Sequence, residues 1–184
     1  MNPHIYQLLI KNKNIDLIKI ILNYAKKKRL SIFYFDEIND LFINRFNYKY
    51  NYVNDILTKD DIIKYMNNQN ILGWCDNNKI YIKRDISQKI KLATICHEFI
   101  HLIRNANNKY EKEKDIFREE YIADIAYNMI YYNINISNII KHKTRISNDI
   151  IKAYQIKQNI SLLNINKYTN EFINHYKILQ SNFI

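Results

Sequence analysis

The sequence predicts an α+β fold, mostly helical with a small sheet, in a single domain over residues 1–184. Three observations point there. A chain of 184 residues with 47% hydrophobic and 14% aromatic side chains can bury one substantial core. One glycine and one proline in the whole chain leave too few turn formers for a sandwich of many short strands. Apolar residues recur mostly at helical spacing, with strand-like runs confined to short stretches.

Taken in order, Ile15, Ile18, Ile21, Leu22 and Ala25 mark a first amphipathic helix that ends in Lys26-Lys27-Lys28-Arg29, where cations suit the helix dipole. SIFYF, from Ser31, is a strand candidate. The segment 36–70 is predicted to be mostly helical, with NYVNDILTKDDIIKYM its best portion. ILGWC and KIYIK flank Asp76-Asn77-Asn78, which reads as a three-residue hairpin turn because asparagine tolerates left-handed backbone angles. Gly73 and Trp74 are expected to serve this turn and its packing. Asp85 or Ser87 can cap the next helix, which should end near Asn105 to Asn108. From Tyr121 to Ile140 the only charged residue is Asp124, the mark of a buried helix. Ser147 is a candidate N-cap for SNDIIKAYQIKQ, and the tail beyond is again helical in pattern.

The chemistry is concentrated in ATICHEFIHLI. His97 and His101 stand four residues apart in a helical segment, so their imidazoles project from one side, one turn apart, and can reach a single metal ion. Glu98 lies beside that face, where it can take a proton from water. Leu92, Cys96, Phe99 and Ile103 form an apolar stripe, and the rotation per residue puts the two histidines opposite it. Zinc needs a third protein ligand, and the acidic candidates that follow are Glu111, Glu113, Asp115, Glu119, Glu120 and Asp124. Glu120 and Asp124 share a face with Ile116, Ala123, Tyr127, Ile130 and Tyr131, which presses both carboxylates inward. A metal ion accepting Glu120, and a ligand histidine donating its second N–H to Asp124, would satisfy both.

HEFIH followed by EEYIAD resembles the zincin metallopeptidases whose third ligand is a glutamate. More narrowly, GWCDNNKIYIKRDISQKIKLATICHEFIHLI, then EEYIADIAYNMI, then HKTRISNDIIKAY resembles the ImmA/IrrE family over about residues 70 to 158. The resemblance implies a zincin-like domain with His97, His101 and Glu120 as Zn2+ ligands, Glu98 as the base, and Asp124 orienting a ligand histidine. It also implies a protein substrate, such as a DNA-binding helix-turn-helix repressor. The chain departs from the family pattern at Ile100, where a small residue is usual, in lacking Leu-Leu-x-Pro after the glutamate helix, and in the length of 36–70. These departures concern the shape of the substrate cleft.

The net charge of +10 comes from lysines spread along the chain, which reads as a solvated surface rather than a nucleic-acid interface. Cys75 and Cys96 show no metal-ligand spacing, and Cys96 falls on the core stripe as a small apolar filler. No run resembles a signal peptide or a membrane span, so a cytoplasmic location is expected. His4, His142 and His175 share no ligand spacing and read as surface or packing residues. KIYIK either pairs with an extended substrate as a sheet edge or merely completes the sheet. Two functions remain open: a zinc-dependent endopeptidase, and a metal-containing binding module that turns over nothing. The glutamate beside the histidines favours the enzyme, since structural zinc needs no base.

Overall fold

A computed structural model of the chain describes residues 1–49, 56–105, 113–153 and 160–184. Among these the fold is mostly helical around one three-stranded sheet. The chain opens on α1 (Pro3–Lys11), which precedes the helix expected to come first. Its signals are local. Asn2 accepts hydrogen bonds from the His4 and Ile5 amides, and Pro3 occupies a position where the missing N–H costs nothing. Helix α2 (Asp16–Lys28) follows, and Arg29 stops it in the left-handed region at φ 56°. Ile15 precedes α2 and is exposed, so it is not part of the apolar stripe.

Strand β1 (Ser31–Tyr34) leads through a 3-10 turn (Phe35–Glu37) into α3 (Asp40–Lys49). Of the best helical portion expected in 36–70, the stretch from Lys59 onward is helical. Residues 51–55 of that portion lie outside the described residues, and α4 (Lys59–Asn68) begins after Thr58, whose hydroxyl caps the Asp61 amide. Strands β2 (Gly73–Asp76) and β3 (Lys79–Ile82) form the hairpin. Its turn has two residues rather than three. Asp76 pairs with Lys79, and Asn77 and Asn78 both take positive φ, at 41° and 64°.

The strand order is β1-β3-β2, with β1 parallel and β2 antiparallel to β3. KIYIK is therefore the central strand and cannot be a substrate edge. β2 is the edge. Alternation along the strands splits the sheet into two faces. Ile32, Cys75, Ile80 and Ile82 join the main core with α1, α2 and the later helices. Phe33, Trp74 and Tyr81 join a second cluster with Phe35, Phe42, Phe46, Ile62 and Met66. In it the Phe42 and Tyr81 rings meet edge to face at 4.7 Å. The segment whose role the sequence leaves ambiguous thus covers the far face of the sheet.

Helix α5 (Gln88–Arg104), capped by Ser87 and stopped by Asn105 at φ 53°, runs between sheet and helices. Removing such a cap costs about 1 kcal/mol. Of its expected stripe, Leu92, Cys96 and Phe99 are buried and Ile103 is half-buried, but Ala93, Ile95 and Ile100 on other sides are buried too, because the middle of α5 is packed all round. Helix α6 (Glu113–Tyr131) lies along α5. It ends well before Ile140: Asn133 turns left-handed at φ 53° and the Ile134 amide bonds back to the Met129 carbonyl. A 3-10 turn (Ile136–Asn138) then starts α7 (Ile139–Ala153). Ser147 lies inside α7, 2% exposed, and caps nothing. Helix α8 (Leu162–Phe183) closes the fold against α2, α6 and α7. Among the described residues no helix is long and apolar enough to cross a membrane.

Candidate metal centre

Helices α5 and α6 pack along their length, and the middle of that contact carries the polar side chains. His97 and His101, one turn apart on α5, bring their Nε2 atoms to 2.8 Å. Glu120 reaches across from α6. Its Oε2 lies 3.4 Å from His97 Nε2 and its Oε1 lies 3.4 Å from His101 Nε2. Zinc bonds of about 2.0–2.2 Å at tetrahedral angles put neighbouring donors roughly 3.3–3.5 Å apart. Each imidazole nitrogen already stands at that distance from one oxygen of Glu120, and two nitrogens with one carboxylate are a donor set that zinc accepts. Among the described residues, these three form the group able to hold a metal ion.

Asp124, one turn beyond Glu120 on α6, accepts a hydrogen bond from His97 Nδ1 at 2.8 Å. That contact fixes the ring and leaves Nε2 facing Glu120 and His101. Charge pairing dominates the cluster. Burial disfavours a charged His97, yet hydrogen bonds to Asp124 and Glu120 outweigh it and hold the imidazole well above its ordinary range. Burial likewise opposes charge on Glu120, but His101 and His97 pull its carboxyl well below the usual carboxylate range.

Glu98 is 8% exposed and sits in the same cleft. Burial raises its carboxyl above the ordinary range, against the attraction of the two histidines. The cleft, about 820 Å³, runs between β2 and the ends of α4 and α7. Gly73, Trp74 and Cys75 line it, so the first two do more than serve the hairpin turn. Among the described residues, three tyrosines line this cleft: Tyr65, Tyr127 and Tyr132. Ile116, Asn128 and Asp149 contribute to the wall opposite β2.

The remaining acidic candidates part ways. Glu119, next to Glu120, points elsewhere and accepts both Nε and the terminal nitrogen of Arg104 at 2.7 and 2.9 Å. Asp115 is not in the cluster, Glu111 lies outside the described residues, and nothing is described of the Glu113 side chain. Arg104 is one turn beyond His101, and its pairing with Glu119 ties α5 to α6 beside the histidines. Sequence spacing carries no signal for this pair, because only the helix contact brings residues 104 and 119 together. Cys96 is fully buried and burial pushes its thiol up, as a core filler requires. His175 packs at 3.5 Å from Arg104, away from the cleft.

Comparison with family models, with curated proteins and with solved structures gives no match in any of the three. The fold and the cluster stand on their own geometry. The arrangement is a buried His-His-Glu cluster able to coordinate a metal ion, in a mostly helical α+β fold.

Proposed function

We propose that the chain is a zinc-dependent metallo-endopeptidase that hydrolyses a peptide bond in a protein substrate. The observation that carries this reading is the convergence of His97, His101 and Glu120 with Asp124 behind His97 and Glu98 beside them. In this reading His97, His101 and Glu120 hold the metal, Asp124 orients His97, and Glu98 is the base. Bound zinc supplies Lewis acidity, polarising a carbonyl and acidifying water. Glu98 accepts the proton that the attacking water gives up as its oxygen bonds to the carbonyl carbon. It then returns that proton to the amide nitrogen as the C–N bond breaks.

The substrate would lie along β2. The Lys83 amide donates to the Leu72 carbonyl, and alternation from that bond turns the N–H and C=O groups of Gly73 and Cys75 away from β3, toward the outer side of the sheet. An extended segment pairing there would cross the cleft beside Glu98. The resemblance of HEFIH and EEYIAD in their ordered setting to the ImmA/IrrE family favours a helix-turn-helix repressor as that substrate, and with it a cytoplasmic setting.

The test is incubation of zinc-loaded protein with such a repressor, and with a mixed-sequence library of internally quenched peptides, beside Glu98→Gln. Cleavage should fall by about 10²–10⁴-fold in the variant, while zinc content stays near stoichiometric. A Glu98→Gln protein that still induces the repressed genes in full would make the chain a binding module instead.

A further inference from the structure

The carboxylate assigned as the base is held from the edge strand. Gly73 is the one glycine in the chain. Its φ is not in the left-handed region, so the backbone does not call for glycine there. Space does. A methyl carbon at Gly73 would lie 2.5 Å from Thr94 Cγ2, 2.7 Å from Glu98 Cγ and 2.8 Å from Glu98 Oε1. Carbon atoms do not approach so closely in a packed interior, so the volume a side chain would take at Gly73 is already filled by Glu98 and Thr94. Two residues on and on the same face of β2, the Cys75 thiol hydrogen-bonds the Glu98 carboxylate. Cys75 is 4% exposed and lines the cleft.

We propose that Gly73 and Cys75 are positioning residues for Glu98: the bare Cα of Gly73 makes the room its carboxylate occupies, and the Cys75 thiol donates to that carboxylate. The inference rests on Glu98 being the base. Its consequence is mechanical. The two residues that face their backbone groups away from β3 also fix the Glu98 side chain, so a segment paired to β2 and the base share one frame. A carboxylate displaced by about 1 Å can cost about 10²-fold in rate without loss of substrate binding.

Two measurements test it, one independent of turnover. In zinc-free protein carrying Cys96→Ala, one thiol remains, and its infrared S–H stretching band should lie at lower wavenumber than after a further Glu98→Ala change. A band that does not move overturns the contact. With zinc bound and a quenched peptide drawn from the library by the wild-type protein, Gly73→Ala should lower kcat by about 10²-fold while changing KM less than about threefold. Gly73→Ala/Thr94→Ser relieves the clash with the Thr94 methyl, keeps the clash with Glu98, and should show the same loss with a normal fold. Cys75→Ala should lower kcat, and Cys75→Ser, which keeps an O–H donor, should restore most of it. Wild-type kcat in Gly73→Ala/Thr94→Ser or in Cys75→Ala overturns the proposal. Wild-type protein that cleaves no peptide would sink the peptidase reading instead, and the S–H band would then decide the Glu98 contact alone.

Discussion

Two clusters of charged side chains, each with a buried centre, lie one helical turn apart along α5 and α6, and they differ in whether the chain balances them. In the first, Arg104 grips Glu119 through two nitrogens and also reaches Glu171 at 2.9 Å, while Arg118 binds Glu171 at 2.6 Å. Two guanidiniums face two carboxylates, and the donors and acceptors match. In the second, Glu98, Glu120 and Asp124 surround two imidazoles, and the nearest donor atoms lie within 4.8 Å of one another. Adjacent residues, Glu119 and Glu120, thus meet opposite fates about 100° apart around α6. A buried carboxylate on its own says little about a metal. An excess of carboxylates around two imidazoles whose donor atoms cluster says much more.

The sharpest way to break that contrast is to truncate the neighbours in turn. Glu120→Ala should lose zinc affinity by more than the roughly 10–100-fold that loss of an outer hydrogen-bond partner costs, and it should fold normally. Glu119→Ala should do the reverse: it leaves Arg104 buried without its main partner and should destabilise by about 3–5 kcal/mol, while the folded fraction keeps its zinc. Zinc content after dialysis and urea unfolding, measured on both variants, read the two effects separately. Zinc lost from Glu119→Ala at unchanged stability would show that the roles are exchanged.

A smaller effect is expected one shell out. Asp124 touches His97 and not the point where the ligand atoms converge, so Asp124→Ala should weaken zinc binding by about 10–100-fold and leave the fold intact. Competition with a chelating dye measures it. An unchanged titration would mean that His97 is held by packing and needs no partner on Nδ1.

Much of this was legible because it is local. The motif helix, its Ser87 cap, its stop at Asn105 and the hairpin before it follow from spacing and turn chemistry within a few residues. So does the pairing of Glu120 with Asp124 on one face of α6. What escaped depends on distant contacts. KIYIK is central because β1, almost fifty residues earlier, pairs along its other side, Ser31 against Lys79 to Tyr34 against Ile82. Arg104 finds Glu119 only through the α5–α6 contact. Ser147 looks like a cap in sequence but is buried within α7, whose start is set by the turn after Asn135. Helix α1 was within reach: Asn2-Pro3 is a start signal, and Ile5, Leu8 and Leu9 make its buried face.

The least effect should come from the outer rim of the balanced cluster, where solvent screens the charges. Glu171 is a quarter exposed and Arg118 more so, so their pair adds little by itself. Burial raises the Glu171 carboxyl, but hydrogen bonds from Arg118 and Arg104 outweigh it and leave the group below its ordinary range. A carboxylate depressed in the folded state stabilises fully above its unfolded value of about 4.3, and the contribution fades as pH falls through the lower folded value. Glu171→Gln removes that term. Wild-type protein should therefore lose stability more steeply than the variant below about pH 4, and the two should run parallel near neutrality, offset by no more than about 1 kcal/mol. Urea midpoints across that range, taken on zinc-free protein so that acid release of metal does not contribute, give the comparison. Curves that stay parallel into acid would mean that Arg104 and Arg118 do not hold Glu171 in solution, and that Glu119 alone balances the buried guanidinium.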